Sequence, residues 1–263
     1  MRVTQADIDL AQRLADAAGA AIRPYFRKPH GEERKDDGSP VTLADRAAEA
    51  AMRRLLDAEA PGDGVVGEEY GEKPGVTGRR WVLDPIDGTH SFTAGRAVFG
   101  TLIALLVDDW PLLGVVDQPI QRERWVGVIG RGTTLNGAPV RTRGCPTLSG
   151  SILATTSPHY FAEVDGPRFL ALVGATESGR MGPLYGGDCY NYGLLASGHL
   201  DLVCEAGLKL HDFAALVPVV EGAGGRMCDW RGDPLTADSA GDVLAIGDPA
   251  RVDDVLEAMG TLA

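Results

Sequence analysis

Apolar positions recur three and four residues apart through the first sixty residues and then give way to short unbroken apolar runs. Thr4 followed three residues later by Asp7, with Ile8, Leu10, Leu14, Ala18 and Ile22 behind them, predicts a capped amphipathic helix ending near Phe26. A second helix is predicted from Thr42 to about Ala60, and Thr42 and Asp45 repeat the capping-box spacing. The charged, Gly- and Pro-containing stretch 27–40 between them reads as a mobile loop or an irregular hairpin, and as a lid candidate. Runs at Gly64 to Gly67, Arg80 to Leu83, Phe99 to Val107, Leu112 to Asp117 and Arg124 to Ile129 then predict strands, an α+β pattern.

The texture changes beyond the turns at Gly130-Arg131-Gly132 and Asn136-Gly137. A strand from Ile152 to Thr155 leads into helices from Pro167 to Ala175 and from Gly187 to Ser197. A strand from Leu200 to Glu205, a helix from His211 to Ala223, strands near Met227 and Leu244 and a helix from Pro249 to Met259 complete the chain. This alternation is α/β logic. Two domains are therefore expected, an α+β unit over 1–142 and an α/β unit over 143–263.

Composition narrows the function. The 37 acidic against 25 basic side chains give a net charge of −12 with no Lys/Arg run, which is unsuited to nucleic acid or an anionic membrane surface. No apolar run is long enough to span a bilayer and the N-terminus lacks a signal-peptide stretch, so a cytoplasmic protein is expected. The scattered Cys145, Cys189, Cys204 and Cys228 contain no C-x-x-C pair and read as buried thiols. A chain of 263 residues buries enough surface to do without disulfides.

The sharpest chemistry lies in Trp81-Val82-Leu83-Asp84-Pro85-Ile86-Asp87-Gly88-Thr89, where a hydrophobic strand runs into two carboxylates. Pro85 cannot donate to a ladder, so the strand is expected to stop there and turn both acids and the Ile86 carbonyl toward one point. Carboxylates with a carbonyl make a hard-oxygen site of the kind Mg²⁺ prefers. Gly88 permits a tight bend whose amides, with that of Thr89, suit an anion. An ordinary turn with self-satisfied aspartates explains the same residues.

Val65-Val66-Gly67-Glu68-Glu69 ends a second apolar run in two acids, of which only one can face a shared site. Asp212 opens a helix and Asp45 completes a capping box, so both have sufficient local explanations. His30, His90, His159, His199 and His211 show no metal-ligand spacing and read as loop or packing residues. P-loop, α/β-hydrolase and zincin signatures are absent from the sequence.

Taken together, Gly67-Glu68-Glu69, Asp84-Pro85-Ile86-Asp87-Gly88-Thr89 and Asp212-x-Ala214-Ala215 with Glu221-Gly222-Ala223-Gly224-Gly225 resemble the inositol monophosphatase family of Mg²⁺-dependent phosphatases. The stretches Gly186 to Tyr192, Ala196 to Asp201 and Glu205 to Lys209 look most like its histidinol-phosphate phosphatase branch. The resemblance implies a layered αβαβα sandwich, a homodimer, a small phosphate ester as substrate and two or three Mg²⁺ per active site. It implies that Glu68, Asp84, the Ile86 carbonyl, Asp87 and Asp212 hold the metal, with Asp45 reached through water or at a further ion. Gly88 and Thr89 would bind phosphate, and the Thr89 hydroxyl coupled to Asp45, together with Glu68, would orient and deprotonate water.

By the same resemblance Asp188 and Glu205 contact the group that carries the phosphate, with Asp188 expected at a helix N-terminus. Two acids there suit a cationic amine and imidazole better than a neutral polyol. Histidinol phosphate is thus the expected substrate. Inositol phosphates, sugar bisphosphates or nucleotide 3′-phosphates use the same machinery, and a non-catalytic cation- or partner-binding protein is the remaining reading. His211 and His90 depart from the family's commonest residues at their positions.

Overall fold

The predicted caps open both N-terminal helices. In the computed structural model, which describes residues 2–29, 31–34 and 40–260, α1 (Gln5–Ile22) starts on a reciprocal box between Thr4 and Asp7. A second box, between Thr42 and Asp45, starts α2 (Leu43–Glu59). Each box satisfies amides that a helix start leaves without intrahelical partners. The stripes Leu10, Leu14, Ala18, Ile22 and Ala44, Ala48, Met52, Leu56 are buried at helical spacing. Between the helices β1 (Glu33–Arg34) pairs antiparallel with β2 (Pro40–Val41), the hairpin form of the predicted connection. His30 and residues 35–39, hence the packing expected of His30 and the body of the lid candidate, lie outside the described residues.

Eight strands then share one sheet: β3 (Gly64–Gly67), β4 (Gly71–Lys73), β5 (Arg79–Asp87), β6 (Gly100–Val107), β7 (Trp110–Gln118), β8 (Glu123–Val128), β9 (Gly132–Leu135) and β10 (Ala138–Val140). Their spatial order is β10-β9-β8-β7-β6-β5-β3-β4, antiparallel throughout except for β3 beside β5. That parallel pair sets the site. Gly67 is in register with Leu83, so Glu68, just past the end of β3, lies level with Asp84 inside β5. The Glu68 amide also donates to the Leu83 carbonyl at 3.1 Å.

The expectation that the strand stops at Pro85 is corrected: β5 runs on to Asp87, with a register shift between Asp84 and Asp87. Pro85 offers no N–H to the ladder, while its carbonyl accepts from Thr101 Oγ1 at 2.8 Å. The proline therefore bends the ladder locally without ending it. The five-residue α3 (Thr89–Thr93) follows directly.

The second sheet is built from β11 (Leu153–Thr155), β12 (Leu184–Tyr185), β13 (Leu202–Glu205), β14 (Arg226–Cys228) and β15 (Val243–Ile246), in the order β12-β11-β13-β15-β14. Its helices are α4 (Gly166–Ala175), α5 (Ser178–Met181), α6 (Tyr190–Ala196), α7 (Leu210–Phe213), α8 (Leu216–Gly222) and α9 (Val252–Ala258). Two expectations are corrected here. Asp188 is not in the helix: α6 begins at Tyr190 and Asp188 precedes it at φ +46. The helix expected from His211 to Ala223 is broken into α7 and α8, because Pro218 has no N–H for the Ala214 carbonyl four residues back.

Strand alternation divides the interior into three cores. On the large sheet, Trp81, Leu83, Ile103 and Leu105 face the α1/α2 layer, and Val82, Leu102, Ala104 and Leu106 face the central layer with α6 and α8. On the small sheet, Val203 and Ala245 face that central layer, whereas Leu202, Cys204 and Leu244 face α4 and α9. The result is an αβαβα sandwich. Both faces of each sheet are covered, which is why β6 reads as a continuous apolar run. All four cysteines are free and buried, and no described helix is long and apolar enough to cross a membrane.

Backbone meets backbone where α8 approaches the large sheet. A Cβ on Gly114 would stand 1.9 Å from the Ala215 carbonyl oxygen. Gly114→Ala is therefore expected to cost about 3 kcal/mol, the upper part of the overpacking range, read as a lower denaturation midpoint. An unchanged midpoint would mean that this contact yields freely.

Candidate metal and phosphate site

The parallel β3/β5 exit and the start of α7 bring four predicted acids together. Asp84, Asp87 and Asp212 each offer an oxygen within 4.8 Å of the others, and Glu68, Asp84 and His211 form a second such group. Asp84 belongs to both. It is buried, and its Oδ1 has no hydrogen-bond partner among the described residues. Burial first, then the charges of Glu68, Asp87 and Asp212, hold its carboxyl well above the usual range. Asp87 is raised by burial and by Asp188 and Asp212, against an amide bond of 2.7 Å from Cys189. Asp212 is raised by burial against its neighbours His211 and Lys209.

Desolvated carboxylates crowded in this way need positive charge to remain anionic. An orphaned carboxylate oxygen inside a set of hard oxygen donors is what a divalent cation of the Mg²⁺ type completes. The residues fit such an ion. His211, expected to be a packing residue, instead places Nε2 3.5 Å from Asp212 Oδ1 at the edge of this cluster.

Asp45 serves its cap and the site with different oxygens. Its Oδ2 accepts from the Thr42 amide at 2.8 Å and hydroxyl at 2.5 Å, while Oδ1 lies 3.4 Å from the Thr89 hydroxyl. Thr89 Oγ1 is also 3.0 Å from the Ile86 carbonyl, to which it donates. Burial, opposed by the Thr42 bonds, pushes the Asp45 carboxyl up to about 6. Gly88 turns at φ +81, and a Cβ there would lie 2.6 Å from Asp188 Cγ, so both conformation and space call for glycine.

A cavity of about 410 Å³ opens over these groups, lined among others by Glu68, Asp87, Thr89, Asp188, Glu205 and Asp212. Asp45, Asp84 and Ile86 are not on its wall. Ser91 Oγ donates to Asp188 Oδ2 at 2.7 Å. Glu205 ends β13, accepting from the Thr156 amide at 2.6 Å and the Thr155 hydroxyl at 3.2 Å. Burial nevertheless pushes its carboxyl up to about 7.

The model of the inositol monophosphatase family matches residues 4–256. The chain belongs to this family. Inositol monophosphatase family proteins are metal-dependent phosphatases, and the acidic clusters above supply the ligand chemistry. The chain is 50% identical over 234 residues to the chloroplastic bifunctional phosphatase IMPL2 of Arabidopsis thaliana, covering 88% of this chain and 66% of that protein, just under two thirds. It is 38% identical over 247 residues to a histidinol-phosphatase of Chlorobaculum parvum, covering 91% and 92% of the two chains. The solved structure of an inositol monophosphatase from Zymomonas mobilis superposes with a TM-score of 0.88 at 52% identity, covering 97% and 98%.

In this inositol monophosphatase family member one supporting residue has no counterpart in the sequence motifs. Glu49 is fully buried on α2, and its carboxylate accepts from the Glu69 amide at 2.7 Å and the Tyr70 amide at 3.2 Å. It pairs with Arg53 Nε at 2.7 Å. The turn that presents Glu68 is thereby tied to α2, and Glu68, not Glu69, lines the cavity. The available signal is a glutamate among the apolar positions Ala44, Ala48 and Met52, four residues before an arginine.

Proposed function

We propose that this phosphatase hydrolyses L-histidinol phosphate to L-histidinol and phosphate. The observation that carries the reading is the pair Asp188 and Glu205 on the cavity wall, both hydrogen-bonded by neutral donors. Although the charges of Arg96 and His90 act on Asp188, no cation is set against the buried Glu205 among the described residues. A buried carboxyl pushed up to about 7 is returned to its anionic form by a bound ammonium or imidazolium, which a neutral polyol does not offer.

Glu68, Asp84, the Ile86 carbonyl, Asp87 and Asp212 would hold two or three Mg²⁺, with Asp45 as a further ligand. When bound, the cations supply Lewis-acid polarisation of the phosphoryl oxygens and a hydroxide-like nucleophile at neutral pH. The amides of Gly88 and Thr89 donate to the phosphate. The Thr89 hydroxyl would turn its single proton from the Ile86 carbonyl at 3.0 Å to Asp45 Oδ1 at 3.4 Å while accepting a hydrogen bond from the attacking water. Glu68, on the cavity wall at the end of β3, would accept a proton from the attacking water as its oxygen bonds to phosphorus. The P–O bond to the histidinol oxygen breaks, and the departing alkoxide takes up a proton from solvent.

The Zymomonas mobilis relative is named an inositol monophosphatase, which favours an inositol monophosphate, tested as inositol 1-phosphate, as a second reading. A panel of phosphate esters assayed with Mg²⁺ and with chelator separates the two. Chelator-insensitive phosphate release would remove the metal mechanism, and faster turnover of inositol 1-phosphate would transfer the assignment. Glu205→Gln and Asp188→Asn are each expected to raise KM for histidinol phosphate at least about tenfold, the cost of unpairing one charge-assisted hydrogen bond. Phenyl phosphate should be affected less than about twofold by the same changes. Equal losses on both esters would sink the assignment of these acids.

A further inference from the structure

Tyr192, on α6, is buried to 2% exposure with its ring in the core between the two sheets. The side chain also lines the cavity that holds Asp188 and Glu205, yet its hydroxyl has no hydrogen-bond partner among the described residues. An unpaired buried hydroxyl destabilises a fold, and phenylalanine would fill the same space without that cost. Burial and then the charges of Glu205 and Asp87 hold the phenol's pKa well above its ordinary value, so it stays protonated as a neutral donor and acceptor.

We propose that the Tyr192 hydroxyl is a substrate-binding group that takes a hydrogen bond from a polar group of the leaving moiety, an N–H of the amino alcohol. The identity of that N–H rests on the function proposed above, whereas the orphaned, buried hydroxyl on a residue that lines the cavity does not. A substrate ammonium carries three N–H donors. Glu205 neutralises its charge, and the phenol oxygen takes a second N–H that the carboxylate leaves over. The fold thus keeps a hydroxyl that no described residue satisfies and that such a ligand would complete.

Tyr192→Phe removes this hydroxyl alone. KM for L-histidinol phosphate is expected to rise about tenfold, equivalent to about 1.4 kcal/mol, while KM for phenyl phosphate stays within about twofold because that ester has no donor at the far end. Without substrate, the melting temperature should be unchanged or higher, since no native bond is lost. An equal KM rise on both esters, no rise on either, or a lower melting temperature each overturns the proposal. If the unmodified protein prefers inositol 1-phosphate, the amino-alcohol reading fails by itself. The same comparison, with inositol 1-phosphate replacing histidinol phosphate, then decides Tyr192: a tenfold rise keeps the hydroxyl in the binding site and no rise removes it.

Discussion

Asp84→Asn is expected to lower kcat/KM for Mg²⁺-dependent phosphate release by about 10³-fold or more, the scale of several kcal/mol of lost transition-state stabilisation. The same change should leave the metal-free protein as stable as before, or more so. Asp84 is the residue shared by the two ligand groups, and its Oδ1 is orphaned within a buried acidic cluster. Asparagine keeps the shape and removes the charge, which weakens cation binding while relieving repulsion from Glu68, Asp87 and Asp212. A structural aspartate would behave in the opposite way, losing stability and sparing activity. Phosphate release and thermal melts, each with chelator and with Mg²⁺, distinguish the two. Activity within tenfold of the unmodified protein would refute Asp84 as a metal ligand.

The elements legible in the sequence are those decided locally. Thr4 with Asp7 and Thr42 with Asp45 announce their helices because a capping box is closed within four residues. The buried strand β6 announces itself because both of its faces are covered. The short strands β4, β9 and β10 are held by neighbours across the sheet and carry little pattern of their own. At Pro85 and Pro218 the local rule holds but tertiary structure chooses its outcome: a register shift in one case and a helix break in the other.

The site divides in the same way. Asp84 and Asp87 stand out because two acids interrupt an apolar strand, whereas Asp45 has a complete local explanation in its cap. The cap does not exhaust Asp45, because a carboxylate has two oxygens: the cap uses Oδ2 and leaves Oδ1 beside the Thr89 hydroxyl. Glu49 acts through groups distant in sequence, and His211 and Tyr192 reach the acidic cluster and the cavity only through the fold, so periodicity marks all three only as helix residues. The amides that Glu49 holds lie twenty and twenty-one residues downstream. Asp188 reads as the start of a helix, and only the fold shows it bent out at positive φ against Gly88.

In chelator, stability is expected to fall as pH rises from about 4 to 8, and Mg²⁺ should reverse the trend. A carboxyl whose folded pKa lies above its unfolded one binds more protons in the folded state, so raising pH through that window favours unfolding. Asp45 moves from 3.8 to about 6 and Glu205 from 4.5 to about 7. At about 1.4 kcal/mol per pKa unit, each removes roughly 3 kcal/mol across its window, which is a large share of a typical domain's 5–15 kcal/mol. Asp84, Asp87 and Asp212 are displaced in the same direction. Asp7, held low by Arg79 and Thr4 against burial, acts oppositely and loses its contribution only as pH falls below the ordinary carboxylate range. Saturating Mg²⁺ binds the anionic cluster of the folded state alone, so its stabilisation should grow with pH. Thermal melts at half-unit pH steps, with and without Mg²⁺, provide the measurement. Glu205→Gln should flatten the chelator curve mainly between pH 4.5 and 7, because that is the window its carboxyl spans. A melting temperature in chelator that is flat or rising from pH 5 to 8 would mean that the cluster already carries compensating positive charge without metal.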